Sequence, residues 1–366
     1  MGKTIAVIFG GISNENEISV ITGTMAANVL KGGGDTVVPV YISQNGNIYA
    51  GEALCDIKNF RTENYAAAPR AIIANGGIYT LNRRGKFKNF IRADAALNCC
   101  HGGLGEGGGI CGLCALAGIP LASAGIFESA SFMNKYFTKL VLSSLGVKTA
   151  EYRYIRSLSD LDKIADSLEF PLIVKPVNLG SSIGVEKVDD IFGLKSAVES
   201  GLMYDGGIIL EEYFAERREI NCAAYFSEGR VCVSECEEAF GGGDILSFED
   251  KYDGGGKSVL PADLPPDTSL LIKNITSAVY SRLEMRGIVR FDYIISGGTV
   301  YLSEINTVPG SLSYYLLSAG FKDFYAVLNA VINQACEDFE AGKNRKLIKT
   351  GILENVPSNA CKLGKK

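Results

Sequence analysis

The chain opens on an apolar run, Thr4 to Phe9, rich in β-branched residues and without polar interruption after its first position. That pattern predicts a parallel strand buried on both faces. Gly10-Gly11 follows, and then Ile18, Ile21, Met25 and Val29 recur three or four residues apart. Their spacing predicts an amphipathic helix that Gly32-Gly33-Gly34 stops. Val37–Ile42 predicts the next strand, and the alternation repeats with Ala95–Cys100, a glycine-rich loop and a helix over Ile110–Ala117. Residues 1–127 therefore read as an open α/β layer with ligand-facing loops at the strand ends.

The pattern then changes. A helix over Ser129–Leu145, short β-like pieces including Pro171–Lys175, and a helix near Asp189–Ser200 make a second unit, 128–205. Beyond Gly206-Gly207, strands are expected at Ile208–Leu210, Ile220–Phe226, Val231–Cys236, Ile288–Ile295 and Thr299–Ile305, with helices over Leu270–Leu283 and Phe324–Phe339. This is a third unit, 206–342. Its long glycine-rich loop, 240–264, reads as a lid, because structureless loops of that length inside compact domains are mostly functional. Residues 343–366 carry seven basic side chains and one acidic, and read as a peripheral tail.

Composition narrows the function classes. With 36 basic against 41 acidic residues the net charge is −5, which argues against a nucleic-acid binder. A single histidine excludes histidine-built metal sites, and 43 glycines without a collagen period point to turns and ligand loops. The N-terminus turns polar too early for a signal peptide, so the ten cysteines are expected reduced, in a cytoplasmic protein. Cys111-Gly-Leu-Cys114 is flanked by Ile110, Leu113, Leu116 and Ile119, which favours a buried helix over a zinc or redox site. Residues 107–127 are uncharged for 21 positions but are broken by glycines and Pro120, so no membrane span is expected.

Three phosphate-loop patterns carry little weight. Gly103-x-Gly105-x-x-Gly108, with Glu128 downstream, matches a dinucleotide fingerprint in form, yet Glu106 would sit among amides meant for a pyrophosphate. Gly256-Lys257-Ser258 lacks the first glycine of a Walker loop, since Lys251 stands there, and Gly2-Lys3-Thr4 precedes the first strand. A fourth pattern is stronger. Lys175 ends a strand and leads into Pro176-Val-Asn-Leu-Gly180-Ser181-Ser182-Ile-Gly184, a small-residue loop able to lie against phosphates. Glu211-Glu212-Tyr213-Phe214 ends the next strand in carboxylates suited to adenine and ribose. Taken singly, either piece is as well read as a solvated strand end. Arg290-Phe-Asp292 and Glu304-Ile-Asn306 then fall on two strands joined by a Gly297-Gly298 hairpin, and alternation sets each pair on one side of the sheet. Two carboxylates and an amide oxygen form a hard donor set suited to Mg²⁺ on nucleotide phosphates.

Together these motifs resemble the D-alanine–D-alanine ligase family of the ATP-grasp superfamily, over nearly the whole chain. Gly10-Gly-Ile-Ser-Asn-Glu15 is similar to the family's opening signature, and His101-Gly-Gly-Leu-Gly-Glu106-Gly-Gly108 to its histidine-glycine loop. Met133-Asn134-Lys135-x-x-x-Lys139 resembles its Met-Asp-Lys helix, and Glu304-Ile-Asn306-Thr-Val-Pro309-Gly310 is the most specific match. The resemblance implies an α/β fold, α+β in its ATP-grasp part: an N-terminal open parallel α/β domain and then a two-lobed ATP-grasp fold. It implies ATP with two Mg²⁺ ions (Mn²⁺ able to substitute) and small D-amino acids as partners, in a homodimer. By the same resemblance Lys135, Lys175, Ser182 and Lys251 meet ATP phosphates, Glu211, Glu212 and Glu219 hold adenine and ribose, and Tyr213, Phe214 and Leu302 wall the adenine. Asp292, Glu304 and Asn306 are the implied metal ligands. Glu15, Ser181 and Tyr252 form the network at the first substrate, Arg290 and the Gly310 N–H stabilise the oxyanion, and His101, Tyr315 and Leu316 lie at the substrates. The family's acids are replaced by Gly107 and Asn134, its serine near the second carboxylate by Tyr315, and a lid tyrosine by Leu246. The second substrate is therefore open: D-Ala, D-Ser or another small D-amino acid. The competing readings are an ATP-grasp carboxylate–amine ligase outside cell-wall synthesis and a dinucleotide-binding oxidoreductase.

Overall fold

The computed structural model describes residues 2–240, 257–343 and 348–355. The N-terminal sheet runs Ile48–Ala50, Thr36–Ile42, Thr4–Gly10, Ala95–Asn98, Leu121–Ala122, parallel except at its Ile48–Ala50 edge. Ile5 to Phe9 are fully buried, as their unbroken apolar run requires. Helix Asn16–Gly32 packs on this strand so closely that a methyl on Gly23 would collide with the Phe9 ring. It ends where predicted, with the Gly33 N–H donating to Val29 O (3.1 Å).

A second, antiparallel sheet orders Glu186–Val188, Leu172–Pro176, Ile208–Glu212 and Tyr152–Ile155. The third orders Lys257–Val259, Glu237–Phe240, Arg218–Ser227, Val289–Ser296 and Thr299–Asn306, with Arg230–Val233 hairpinned onto Arg218–Ser227. The two face each other across a cavity. Helix Phe321–Lys343 follows the third sheet in sequence, yet its Phe324, Val327, Leu328 and Val331 join the core built on Ile5, Val7 and Phe9, tying chain end to chain start.

Four expectations need correcting. The single helix over Ser129–Leu145 is two, Ile126–Met133 and Lys135–Ser144. Asn134 is extended between them (φ −104°, ψ 113°), and its side chain accepts from the Phe137 N–H (3.0 Å), the role Asn favours at a helix start. The strand over Val231–Cys236 stops at Val233 and resumes as Glu237–Phe240, because the Ser234 hydroxyl accepts from the Ala223 N–H (2.9 Å) and donates to Glu235 O. A three-stranded sheet, Ala71–Ala74, Gly77–Leu81 and Phe87–Arg92, was not anticipated. Finally, Lys257–Val259, inside the expected 240–264 loop, is a strand paired to Glu237–Phe240. Most of that loop, with Leu246, Lys251 and Tyr252, lies outside the described residues.

Candidate active site

Three segments converge where the Thr4–Gly10 strand ends. Glu15 stands at the start of helix Asn16–Gly32 and accepts a hydrogen bond from the Ser181 hydroxyl. Ser181 and Ser182 both adopt left-handed backbone (φ 50° and 59°), a strained conformation that clusters at functional loops. Side-chain-free positions make room for the carboxylate: a methyl on Gly102 or Gly180 would strike Glu15. Thus residues far apart in sequence meet as the resemblance implied.

Beneath them His101 is buried and Glu106 half-buried. The imidazole Nε2 shares a hydrogen bond with the Thr22 hydroxyl (2.8 Å), and burial pulls its pKa down to about 4, so the ring is neutral. Glu106 folds back to accept from the Gly102 N–H (2.9 Å) and the Val308 N–H (3.4 Å). Burial, helped by the Glu15 charge, pushes its carboxyl up to about 7. The segment read as a dinucleotide fingerprint therefore forms a π-helical turn, Gly105–Gly109, with its own carboxylate on the amides.

The second sheet supplies lysines. Lys175, at the end of the Leu172–Pro176 strand, has its Nζ 2.6 Å from Glu211 Oε2, and Lys139 Nζ lies 2.6 Å from Glu211 Oε1. Burial would raise the Glu211 carboxyl, but the two ammonium charges prevail and hold it at about 2. Burial likewise works to lower Lys175, and the Glu211 and Glu304 charges overcome it, leaving its pKa raised. Lys135 donates to Leu179 O (2.6 Å) and lies 3.5 Å from Glu304, joining the serine loop to the third sheet.

On the third sheet Arg290 grips Asp292 with both ends of its fork (2.7 and 2.9 Å), and the Asn306 amide donates to Asp292 Oδ2 (2.9 Å). Across the ladder Arg290 faces Asn306 and Asp292 faces Glu304. Tyr315 lines the cavity beside Arg290, where burial raises its phenol pKa against the lowering charge of the guanidinium. Pro309-Gly310 turns the chain back over this cluster through Ser311, Leu312 and Ser313, all at positive φ. Asp292, Glu304 and Asn306 present oxygen donors beside Lys135, a set that fits a hard cation shared with phosphates. Among the described residues no three His, Cys, Asp or Glu side chains converge as a protein-only metal cage, and Cys111 and Cys114 are buried in helix Ile110–Ala117.

These groups line a cavity of about 600 Å³ running from Glu212, Tyr213, Phe214 and Glu219 past Lys135, Lys175 and Ser182 to Arg290, Gly310 and Tyr315. A smaller pocket of about 90 Å³ adds Glu15, His101, Glu106 and Asn306. Two matches cover most of the sequence: the D-ala D-ala ligase N-terminus over residues 4–124 and the D-ala D-ala ligase C-terminus over 141–327. The chain belongs to the D-alanine–D-alanine ligase family. It is 32% identical to the D-alanine–D-alanine ligase of Thermosipho melanesiensis, covering 96% of this chain and 98% of that protein. The Campylobacter jejuni (serotype O:6) enzyme of the same name is also 32% identical, over 90% and 92%. The D-alanine–D-alanine ligase structure from Helicobacter pylori superposes with a TM-score of 0.76 at 28% identity, covering 90% of this chain and 98% of that one. The D-Ala:D-Ser ligase structure from Enterococcus faecalis shares the fold, with a TM-score of 0.73 at 22% identity and 93% and 99% coverage.

Within this family frame one implied role does not fit the geometry. Leu302 is 1% exposed and packs in the core with Tyr293 and Ile305, away from the cavity lining. The cause is a β-bulge: Tyr293 pairs Leu302 while Asp292 pairs Glu304, leaving Ser303 extra. The inserted residue sends Leu302 to the core and Glu304 to the cavity, though unbulged i and i+2 would share a face. Tyr301 instead meets Phe214, ring centroids 4.8 Å apart. Each oxygen of Glu211 faces a lysine ammonium group, while Glu212 beside it points differently and accepts from the Glu151 N–H (2.9 Å). Leu316 is buried beside the lining residue Tyr315. Lys139, quoted in a motif but given no role, is the residue the sequence reading missed.

Proposed function

We propose that this family member is an ATP-dependent ligase that joins two small D-amino acids, D-Ala first and D-Ala, D-Ser or a similar residue second, for peptidoglycan precursors. The observation carrying this reading is a cavity lined by lysines, hard oxygen donors, Arg290 and Tyr315, beside a smaller pocket that holds the Glu15–Ser181 pair. The ATP γ-phosphoryl group passes to a carboxylate oxygen of the first amino acid, releasing ADP. The amine of the second then attacks the acyl carbon, and phosphate leaves. Phosphoryl transfer is chiefly positioning and charge neutralisation, the part assigned to Lys135 and Lys175. Asp292, Glu304 and Asn306 would hold Mg²⁺, which supplies neutralising charge to the phosphates when bound. Glu15, oriented by Ser181, receives the first ammonium group. Arg290, locked by Asp292, and the Gly310 N–H are fixed donors for the oxyanion, as such stabilisation requires.

Among the described residues no helix is long and apolar enough to cross a membrane, and the reading is of a cytoplasmic homodimer acting on free amino acids. The test is phosphate release from ATP·Mg²⁺ with D-Ala alone and with D-Ala plus a panel of D-amino and D-hydroxy acids. Release that requires a D-amino acid, with a dipeptide as product, supports it. Release indifferent to amino acids, or none with any of them, refutes it.

A further inference from the structure

Glu211 has no part in the reaction as written above, yet it is among the most confined charged groups in the protein. It is 4% exposed and sits in the cavity wall as the second-to-last residue of a strand, Ile208–Glu212, whose preceding residues are buried and apolar. Lys139 lies behind it at 1% exposure, outside the cavity lining, and Lys175 lies in front, lining the cavity. A lysine, a carboxylate and a second lysine thus run from core to cavity at 2.6 Å contacts.

From that arrangement we infer that Glu211 is a positioning residue: it anchors the Lys175 ammonium at the cavity wall, with Lys139 holding Glu211 from behind, so that triphosphate meets a fixed cation. The inference rests on the ATP-ligase reading. Lysine is a flexible point charge on a four-carbon stem, and held in one place it loses less freedom on meeting a phosphate. An ammonium has three donors; the Glu211 contact uses one and leaves the rest for the ligand. Burying three charged groups is costly, and a buried pair is poor evidence of stability for its own sake. Each carboxylate oxygen faces one ammonium group, so the two lysines share one counter-charge. Removing its charge leaves two buried cations opposed with nothing between them. One must then move or lose its proton, so no gain in positive charge reaches the phosphates.

The test separates phosphate anchoring from adenine recognition by calorimetric titration of Glu211→Gln with ATP·Mg²⁺, ITP·Mg²⁺ and adenosine, beside steady-state kinetics. The expected result is a rise of tenfold or more in Kd and KM for both triphosphates alike. The ATP-to-ITP ratio, the Kd for adenosine and the KM for D-Ala stay at wild-type values, and Glu211→Asp recovers part of the loss. Should Glu211→Gln fold poorly, Lys139→Met with Glu211→Leu replaces the buried pair by apolar groups. This double variant is expected to melt near the wild type and still bind triphosphate weakly, since Lys175 has lost its anchor. Unchanged triphosphate affinity in either variant overturns the inference, as does a loss confined to adenosine and to the ATP-over-ITP preference. If the wild-type protein itself fails to bind ATP·Mg²⁺, the ligase reading falls, and that outcome is visible before any variant is made.

Discussion

Replacing Arg290 with methionine removes the group that holds Asp292 through two hydrogen bonds and lies beside Tyr315 in the cavity wall. Two costs follow, and they are separable. For catalysis, loss of one preorganised oxyanion donor typically lowers kcat by about 10²–10³, or roughly 3–4 kcal/mol. For folding, breaking a fully buried ion pair costs about 3–5 kcal/mol. Here the side chains are 20% and 24% exposed and Asn306 still donates to Asp292, so about 1–2 kcal/mol is the better expectation, a fall of several degrees in Tm. Phosphate release at saturating ATP and D-amino acid should thus drop at least ~100-fold in a protein that remains folded at assay temperature. Arg290→Lys keeps the charge without the fork, and should fall between wild type and Arg290→Met. A variant with normal kcat and a change only in KM for ATP would refute the oxyanion assignment and leave Arg290 as a phosphate anchor.

Glu304→Gln should nearly abolish turnover, because an amide cannot supply the charge of a carboxylate between cation and phosphate; most of the wild-type rate at ordinary Mg²⁺ would count against the assignment of that strand. Tyr315→Ser should change the ranking of second substrates, read from competing D-Ala, D-Ser and bulkier D-amino acids, while partial turnover with the first substrate alone stays near wild type. An untouched ranking would show that the phenol beside Arg290 does not face the nucleophile. Acid unfolding should carry the mark of Glu211: its folded pKa of about 2 lies below the ordinary 4.5, so its stabilisation is full above pH 4.5 and lost as pH falls toward 2. That gap is worth on the order of 3 kcal/mol. Thermal melts across the window should fall more steeply for wild type than for Glu211→Gln, and parallel curves would contradict the ion-pair reading.

The sequence carried the two periodicities well, and with them most strands and helices, because buried parallel strands and amphipathic helices leave strong apolar patterns. It carried poorly whatever depends on a single residue's conformation. Asn134 breaks a helix that apolar spacing alone continues, although a cap-forming Asn before Lys135 was a visible signal. The hairpins of 71–92 were missed because strand Phe87–Arg92 is largely exposed and lacks the alternation of a half-buried strand. The extra residue at Ser303 could not be read at all, and it alone exchanges the faces of Leu302 and Glu304. Candidate site residues were legible where a motif kept them close, as in Arg290-Phe-Asp292. Lys139 with Glu211, and Glu106 with the Val308 N–H, are contacts between distant segments that no spacing rule anticipates.

The third sheet sets the groups proposed for the nucleotide and for the acyl chemistry in register. On strand Arg218–Ser227, Glu219, Asn221 and Ala223 point the same way. Register aligns Glu219 with Ala239 and Ile294, Asn221 with Glu237 and Asp292, and Ala223 with Arg290. Beyond these, Asp292 faces Glu304 and Arg290 faces Asn306. Successive rows along one strand therefore carry the groups proposed for ribose, for phosphates with metal, and for the acyl centre, in the order in which ATP and its acceptor would lie. A strand rises about 3.3 Å per residue, so neighbouring rows stand roughly 7 Å apart, close enough for transfer from one to the next. Slipping that register by one residue would turn every one of these side chains into the core, which fixes the rows against drift. Tyr315 belongs to none of them: it lies on the short helix Tyr314–Leu317 after Gly310, outside the ladder, and lines the cavity beside Arg290. On the proposed reading, a substitution there reshapes the place of the incoming amine and leaves the paired strands proposed for the nucleotide as they are.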